Sequence, residues 1–178
     1  MQIEKVILVD ENDHEIGSME KMEAHEKAVL HRAFSIFLFN DKKEFLLQQR
    51  AWGKYHSPGL WTNTCCSHPR LNEISSDAAK RRLDEEMGMN CGLIELFSFV
   101  YKADVGQGLT EHEFDHIFVG FTNETPIINH KEVNSWKYMN LADLKQDIIS
   151  NPQHYTVWFR IAFEKVEEYI LINSSLKL

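Results

Sequence analysis

Three groups of side chains in this 178-residue sequence could do chemistry. The first lies in AWGKYHSPGLWTNTCCSHPR (51–70), where aromatic rings, two histidines and a vicinal cysteine pair share an irregular segment punctuated by Pro and Gly. So rich a loop inside a compact domain is usually a working part of the molecule. The second is SSDAAKRRLDEEMGM (75–89), where Arg81, Arg82, Asp84, Glu85 and Glu86 crowd the second half of an expected helix. Helical spacing puts positions 78, 82 and 86 on one face and 81 and 85 on another. A solvated face laced with ion pairs would explain such a run. Carboxylates on one helical turn also collect hard divalent cations. Glu73, eight residues before Arg81, and Gly88, two after Glu86, extend the pattern beyond what a solvated face requires. The third group is the nine histidines, most of which surface placement alone would explain.

The cysteines are constrained by number and position. Cys65, Cys66 and Cys91 cannot all pair within one chain. Neighbouring Cα atoms lie about 3.8 Å apart, shorter than the ~4.4–6.8 Å a disulfide prefers. The spacing also fits no C-x2-C zinc template. Unpaired thiols suit a reducing compartment, and a cytoplasmic location is expected.

The elements that must position these groups are legible as alternating strand and helix signals. KVILVD (5–10) reads as a strand, ENDHEIG (11–17) as a polar turn and HRAFSIFLF (31–39) as a strand. NDKK (40–43) turns the chain into EFLLQQR (44–50), the partner strand of a hairpin. In the 75–89 helix Ser75 or Ser76 can cap the N-terminus, Asp77 favours the positive end of the dipole, and Gly88 suits the C-terminal cap. Strands follow at 92–104, 113–121 and 133–139, then a short helix at 141–150 and an amphipathic helix from about 153 to 171. Mixed strands around one helix, closed by further helices, indicate an α+β or α/β sandwich.

Composition bounds the partners. Nineteen Lys and Arg against 27 Asp and Glu give a net charge of −8. An acidic chain lacks the basic footprint for nucleic acid or an anionic membrane. No apolar run approaches the ~18–20 residues of a membrane span, and MQIEKVILVDEND lacks a signal-peptide layout. The length fits a single domain over 1–178, expected to act as a monomer or weak dimer.

The pattern E-x7-R-x-U-x-E-E-x-G-U, with U a bulky apolar residue, is met by Glu73, Arg81, Leu83, Glu85, Glu86, Gly88 and Met89. It resembles the Nudix box. The resemblance implies a Nudix-like α/β/α sandwich, an α/β fold with a mixed β-sheet, a central Nudix helix and C-terminal helices. Ser67 stands where the box has its leading glycine, and Arg82 where Nudix hydrolases carry a metal-binding glutamate. Losing that carboxylate weighs against pyrophosphohydrolase activity. TNTCCSHP (62–69) resembles the cysteine loop of the type I isopentenyl-diphosphate isomerases, LHRAFSIFLFN (30–40) their histidine-bearing first core strand, and GLTEHEFDHIF (108–118) their paired-glutamate segment. The likeness runs from about Lys5 to Trp158.

Membership of that family would imply a metal-dependent 1,3-allylic proton shift between isopentenyl and dimethylallyl diphosphate, through a tertiary carbocation, in isoprenoid biosynthesis. Cys66 and Glu113 would be the acid–base pair, with Tyr101 bonded to the carboxylate and Trp158 facing the cation. His25, His31, His68, Glu111 and Glu113 would enclose Mn²⁺, Mg²⁺ or Zn²⁺. His25 and His31 are six apart, so the chain between them must turn, and Glu111 and Glu113, two apart on a strand, would point to one side. Lys21 and Lys54, on loops at the pocket mouth, would join Arg50, Arg81 and Arg82 in holding the diphosphate, with Trp61 lining the pocket. A Mg²⁺ would bridge the diphosphate to Glu86 and the Cys66 carbonyl, with Arg82 as a cationic anchor. The rival expectations are a Nudix pyrophosphohydrolase of a nucleoside diphosphate derivative and a catalytically inert binding module.

Overall fold

A computed structural model describes residues 4–172, with side chains of the last helix to Tyr169; the ends of the expected 1–178 span, residues 1–3 and 173–178, lie outside the described residues. The chain opens with β1 (Lys5–Val9), β2 (Glu15–Glu20) and a short helix, α1 (Lys21–Glu26), before β3 (His31–Phe39) and β4 (Phe45–Arg50). β5 (Trp61–Thr62) and β6 (Cys65–Ser67) lead into α2 (Ser75–Met87). The long hairpin β7 (Leu93–Gly106) and β8 (Leu109–Phe121) is followed by β9 (Val133–Met139), α3 (Leu141–Ser150), a 3-10 turn at Pro152–His154 and α4 (Val157–Ile172).

β3 organises the rest. Its residues are apolar almost without interruption because both faces are covered, the condition under which strands lose their polar alternation. Phe34, Ile36 and Leu38 meet Ala78, Ala79, Leu83 and Met87 of α2 in one core. Phe37 and Phe39 meet Trp158, Phe159, Phe163 and Val166 of α4 in the other. The period of two along a strand thus sorts one segment into two cores and produces the helix–sheet–helix layering. Each fully buried Leu or Phe contributes about 1.5–3 kcal/mol of burial.

The two edges of β3 differ. One edge pairs in parallel with β8 along the whole length, from His31↔Glu113 to Phe39↔Phe121. The other is shared: β1 meets it at His31, β6 at Phe34–Ile36 and β4 at Leu38–Phe39. β6 and β8 therefore flank β3 on opposite sides.

Several local expectations are corrected. Residues 11–17 are not all turn, because β2 begins at Glu15; it is a mostly exposed partner of β1 with little apolar content to announce it. Lys21 opens α1 instead of lying on a loop. The 51–70 segment contains β5 and β6, too short for any periodicity to show. Glu111 and Glu113 lie inside a strand that starts at Leu109. Neither Ser75 nor Ser76 caps α2, whose N-cap is Ile74 without a side-chain hydrogen bond. The last helix starts at Val157, after the 3-10 turn.

Gly88 does end α2, at φ 62° and ψ 33°, with its N–H donating to the Asp84 carbonyl. A Cβ there would lie 2.5 Å from the Ile127 carbonyl oxygen. Gly88→Ala is therefore expected to cost about 1–3 kcal/mol from the left-handed conformation and the clash. At this chain length that lowers the melting temperature by about 2–12 °C, read by a circular-dichroism melt; an unchanged melt would contradict this role for the glycine.

Candidate active site

β8 alternates buried and half-buried residues, so Glu111, Glu113 and Asp115 share one face. Tyr101 of β7 stands beside this row. Its hydroxyl lies 2.7 Å from Glu111 Oε2 and 2.6 Å from Glu113 Oε2. One hydroxyl proton cannot serve two ionised carboxylates at once. The environments separate them accordingly: burial, then the charge of Glu113, pushes Glu111 up to about 8. Burial opposes the charge on Glu113 too, but the neighbouring His31 and His68 imidazoles hold it well below the usual carboxylate range.

The histidines converge on Glu113 from three elements. The α1 helix supplies His25, the first residue of β3 supplies His31, and the residue after β6 supplies His68. The chain does turn between His25 and His31, through Lys27–Leu30. His68 Nε2 is 3.0 Å from Glu113 Oε1 and 3.2 Å from His31 Nε2. His25 Nδ1 faces the Lys21 carbonyl at 2.7 Å, and His31 Nδ1 faces the Val29 carbonyl at 2.8 Å. A carbonyl only accepts, so each Nδ1 carries the hydrogen and each Nε2 keeps its lone pair for a ligand.

Burial favours the neutral, coordinating form, lowering His25 and bringing His68 down to about 4. His25 Nε2 is buried without a hydrogen-bond partner. Ligand atoms of His25, His31, His68 and Glu113 lie within 4.8 Å of one another. Several lone pairs and a carboxylate aimed at one point, with an orphaned nitrogen among them, fit a divalent cation. Glu111 falls in a neighbouring group with His25 and His56, joined to the first by Tyr101.

Beside this cage opens a small pocket lined by Tyr55, His56, Cys66 and Trp158. Cys66 lines it, while Cys65 is fully buried against α2, as alternation along β6 requires. Burial pushes the Cys66 thiol up, so the sulfur keeps its proton at neutral pH. Lys21, Arg50, Lys54 and Arg82 form a cationic wall. Lys21 pairs with Glu4 at 3.3 Å, Lys54 with Glu132, and Arg82 with Glu85 at 2.8 Å and with Glu86. Arg50 is different. Among the described residues it pairs with no carboxylate; one Nη donates to the His56 carbonyl at 3.1 Å, and its guanidinium lies 5.0 Å from the Trp158 ring centroid. Glu86 is held by Gln48 at 2.9 Å as well as by Arg82.

One expected residue lies elsewhere. Trp61 does not line the pocket; Lys137 covers its ring at 4.2 Å, and it packs against the α4 core. Arg81 binds Glu73 at 2.7 Å and Glu85 at 3.2 Å and lines the adjoining cleft, which shares Ser67, His68 and Arg82 with the pocket. Conversely, Tyr55, His56, Gln48 and Asp115 were not singled out by sequence. Tyr55 and His56 line the pocket, and Asp115 accepts from Ser35 at 2.9 Å in the interior. His56 lay within the flagged 51–70 segment; no sequence signal marked Gln48 or Asp115.

The family model for the NUDIX domain matches residues 29–159. Isopentenyl-diphosphate Delta-isomerase 2 of Aromatoleum aromaticum is 51% identical over 163 residues, covering 92% of this chain and 86% of that protein. Isopentenyl-diphosphate Delta-isomerase of Pectobacterium atrosepticum is 46% identical over 169 residues, covering 95% and 94%. In fold alone, the crystal structure of DR0079 from Deinococcus radiodurans is similar, with a TM-score of 0.70, 19% identity and coverage of 83% of this chain and 90% of that one. The sheet bounded by α2 and α4, the box residues on α2 and the length of these matches agree: the chain belongs to the isopentenyl-diphosphate Delta-isomerase family of NUDIX-domain proteins.

Proposed function

We propose that this chain interconverts isopentenyl diphosphate and dimethylallyl diphosphate. The reading is carried by one observation: a protonated thiol from β6 and a carboxylate from β8 reach one pocket from opposite edges of β3, beneath an indole and a cationic wall. An alkene isomerisation of this kind adds a proton to the terminal carbon and removes one from the allylic methylene. The atoms balance with no water consumed, so the chain needs two proton-handling groups facing one substrate.

Cys66 and Glu113 fill those roles. Tyr101 positions Glu113 through its hydroxyl. The Trp158 indole, buried in the pocket wall, faces the cationic centre that alkene protonation creates. Arg50, lacking a carboxylate partner, is the first anchor for the diphosphate, with Lys21, Lys54 and Arg82 around it. A divalent ion at His25, His31, His68 and the Glu111–Glu113 pair would fix the carboxylates, and a Mg²⁺ at Glu86 would neutralise diphosphate charge. Arg82, paired with Glu86 where a hydrolase has another carboxylate, favours holding the diphosphate over cleaving it.

Every group named comes from one chain, and no helix among the described residues is long and apolar enough to cross a membrane. The free thiols Cys65, Cys66 and Cys91 support action in a reducing cytoplasm.

The test is isopentenyl diphosphate with Mg²⁺ in D₂O, followed by proton and phosphorus NMR. Deuterium entering the C5 skeleton with the diphosphate intact is the expected result. Phosphate release with the alkene unmoved would replace this reading with pyrophosphohydrolysis. Prolonged chelation is expected to remove nearly all turnover, and added Mn²⁺ or Zn²⁺ with Mg²⁺ to restore it; full activity after verified metal removal would sink the cage.

A further inference from the structure

Half of the cationic wall is already engaged by a carboxylate that the proton transfer does not use. Lys54 pairs with Oε2 of Glu132, and Arg82 Nη2 lies 3.5 Å from its Oε1. Burial opposes the charge on Glu132, but these two cations hold it below the usual carboxylate range, so it is ionised at neutral pH. Two of the four cations lining the pocket, Lys21, Arg50, Lys54 and Arg82, thus share one negative charge.

The backbone fixes Glu132 where it stands, just before β9. Its N–H donates to the Asn129 carbonyl at 2.9 Å, and its own carbonyl accepts from the Ala51 N–H at 3.0 Å. Asn129 N–H donates in turn to the Glu86 carbonyl at 2.9 Å, and Lys54 N–H to the Ala51 carbonyl at 3.2 Å. The 129–132 segment therefore bridges α2 and the 51–54 turn, which supply Arg82 and Lys54. A carboxylate so held cannot withdraw far when another anion arrives. The long Lys54 and Arg82 side chains must divide themselves between the two. A part-exposed ion pair adds little to stability, but an anion brought beside a fixed carboxylate meets a repulsion that the shared cations only partly offset.

We propose that Glu132 tempers the diphosphate site: its carboxylate competes with the bound diphosphate for Lys54 and Arg82 and so keeps substrate and product exchangeable. The proposal rests on the isomerase reading given above, which puts the diphosphate on this wall. Isopentenyl and dimethylallyl diphosphate present the same headgroup, so a wall that grips it harder holds substrate and product alike. Such uniform binding lowers KM without speeding the chemical step, and it slows release. Glu132 does not line the pocket. It is a positioning residue that acts through the two cations it holds.

The probe is inorganic diphosphate with Mg²⁺, titrated into the full chain by calorimetry at low and high salt, beside steady-state isomerisation. Glu132→Gln is expected to bind it at least ~5-fold more tightly than wild type at low salt, by a margin that shrinks as salt screens the repulsion. Its KM should fall, with kcat unchanged or reduced. Glu132→Asp keeps the charge and should stay close to wild type. Glu132→Asn against Glu132→Asp repeats the comparison at one side-chain length should Glu132→Gln fail to fold. Equal or weaker diphosphate binding by the folded amide variant, a gain indifferent to salt, a rise in kcat, or the same gain in Glu132→Asp would each overturn the proposal. Failure of wild type to bind diphosphate would instead overturn the assignment of the wall to the substrate headgroup, and this proposal with it.

Discussion

Cys66→Ala is expected to lower isomerase turnover by about 10²–10⁴-fold, the range spanned by a lost acid–base group. The sulfur is half-buried in the pocket wall, and burial keeps it in the thiol form. In that form it can deliver a proton, and the thiolate left behind is the form that takes one back. Removing Sγ leaves the cationic wall and the cage in place, so substrate affinity should change far less than turnover. Cys65→Ala is the control. That side chain packs against α2 as a small hydrophobe, and its loss should lower stability while leaving turnover nearly intact. Isomerisation measured by NMR decides the matter: a Cys66→Ala protein of undiminished turnover would remove the thiol from the reaction.

Glu113→Gln should cost as much, about 10²–10⁴-fold, and should do so with a second signature. Glu113 Oε1 accepts from His68 at 3.0 Å and lies 3.6 Å from His31 Nε2, while Oε2 meets Tyr101. An amide keeps the shape but loses the negative charge that balances the cage, so metal content should fall together with turnover. Elemental analysis alongside the D₂O assay reads both. A variant that keeps full metal and full turnover would assign the carboxylate's work to Glu111.

Much of this was legible in the sequence because it was written in spacing. The period of two put Glu111 and Glu113 on one face, the helical period paired Arg82 with Glu86, and the polar–apolar contrast marked β3, α2 and α4. What stayed hidden had no periodicity to reveal it. β2 carries few apolar residues, β5 and β6 are two and three residues long, and α1 spans only six. The one misplacement has the same origin. Trp61 is a residue type common in pockets, but only tertiary contacts show that it lies under Lys137. His56 was in plain view; its distance from Glu111 required the fold.

The way β3 is bonded along both edges has a consequence for how the site comes apart. Amide hydrogens at Phe34–Ile36, locked between β6 and β8, should exchange with solvent only when the whole molecule opens. The six-residue helix bearing His25 is buried against β8 and β2 but lacks a ladder of hydrogen bonds along both sides, so it should open at lower cost than β3. The cage thus has one half set in masonry and one half on a hinge, and ions should enter and leave by the side of His25.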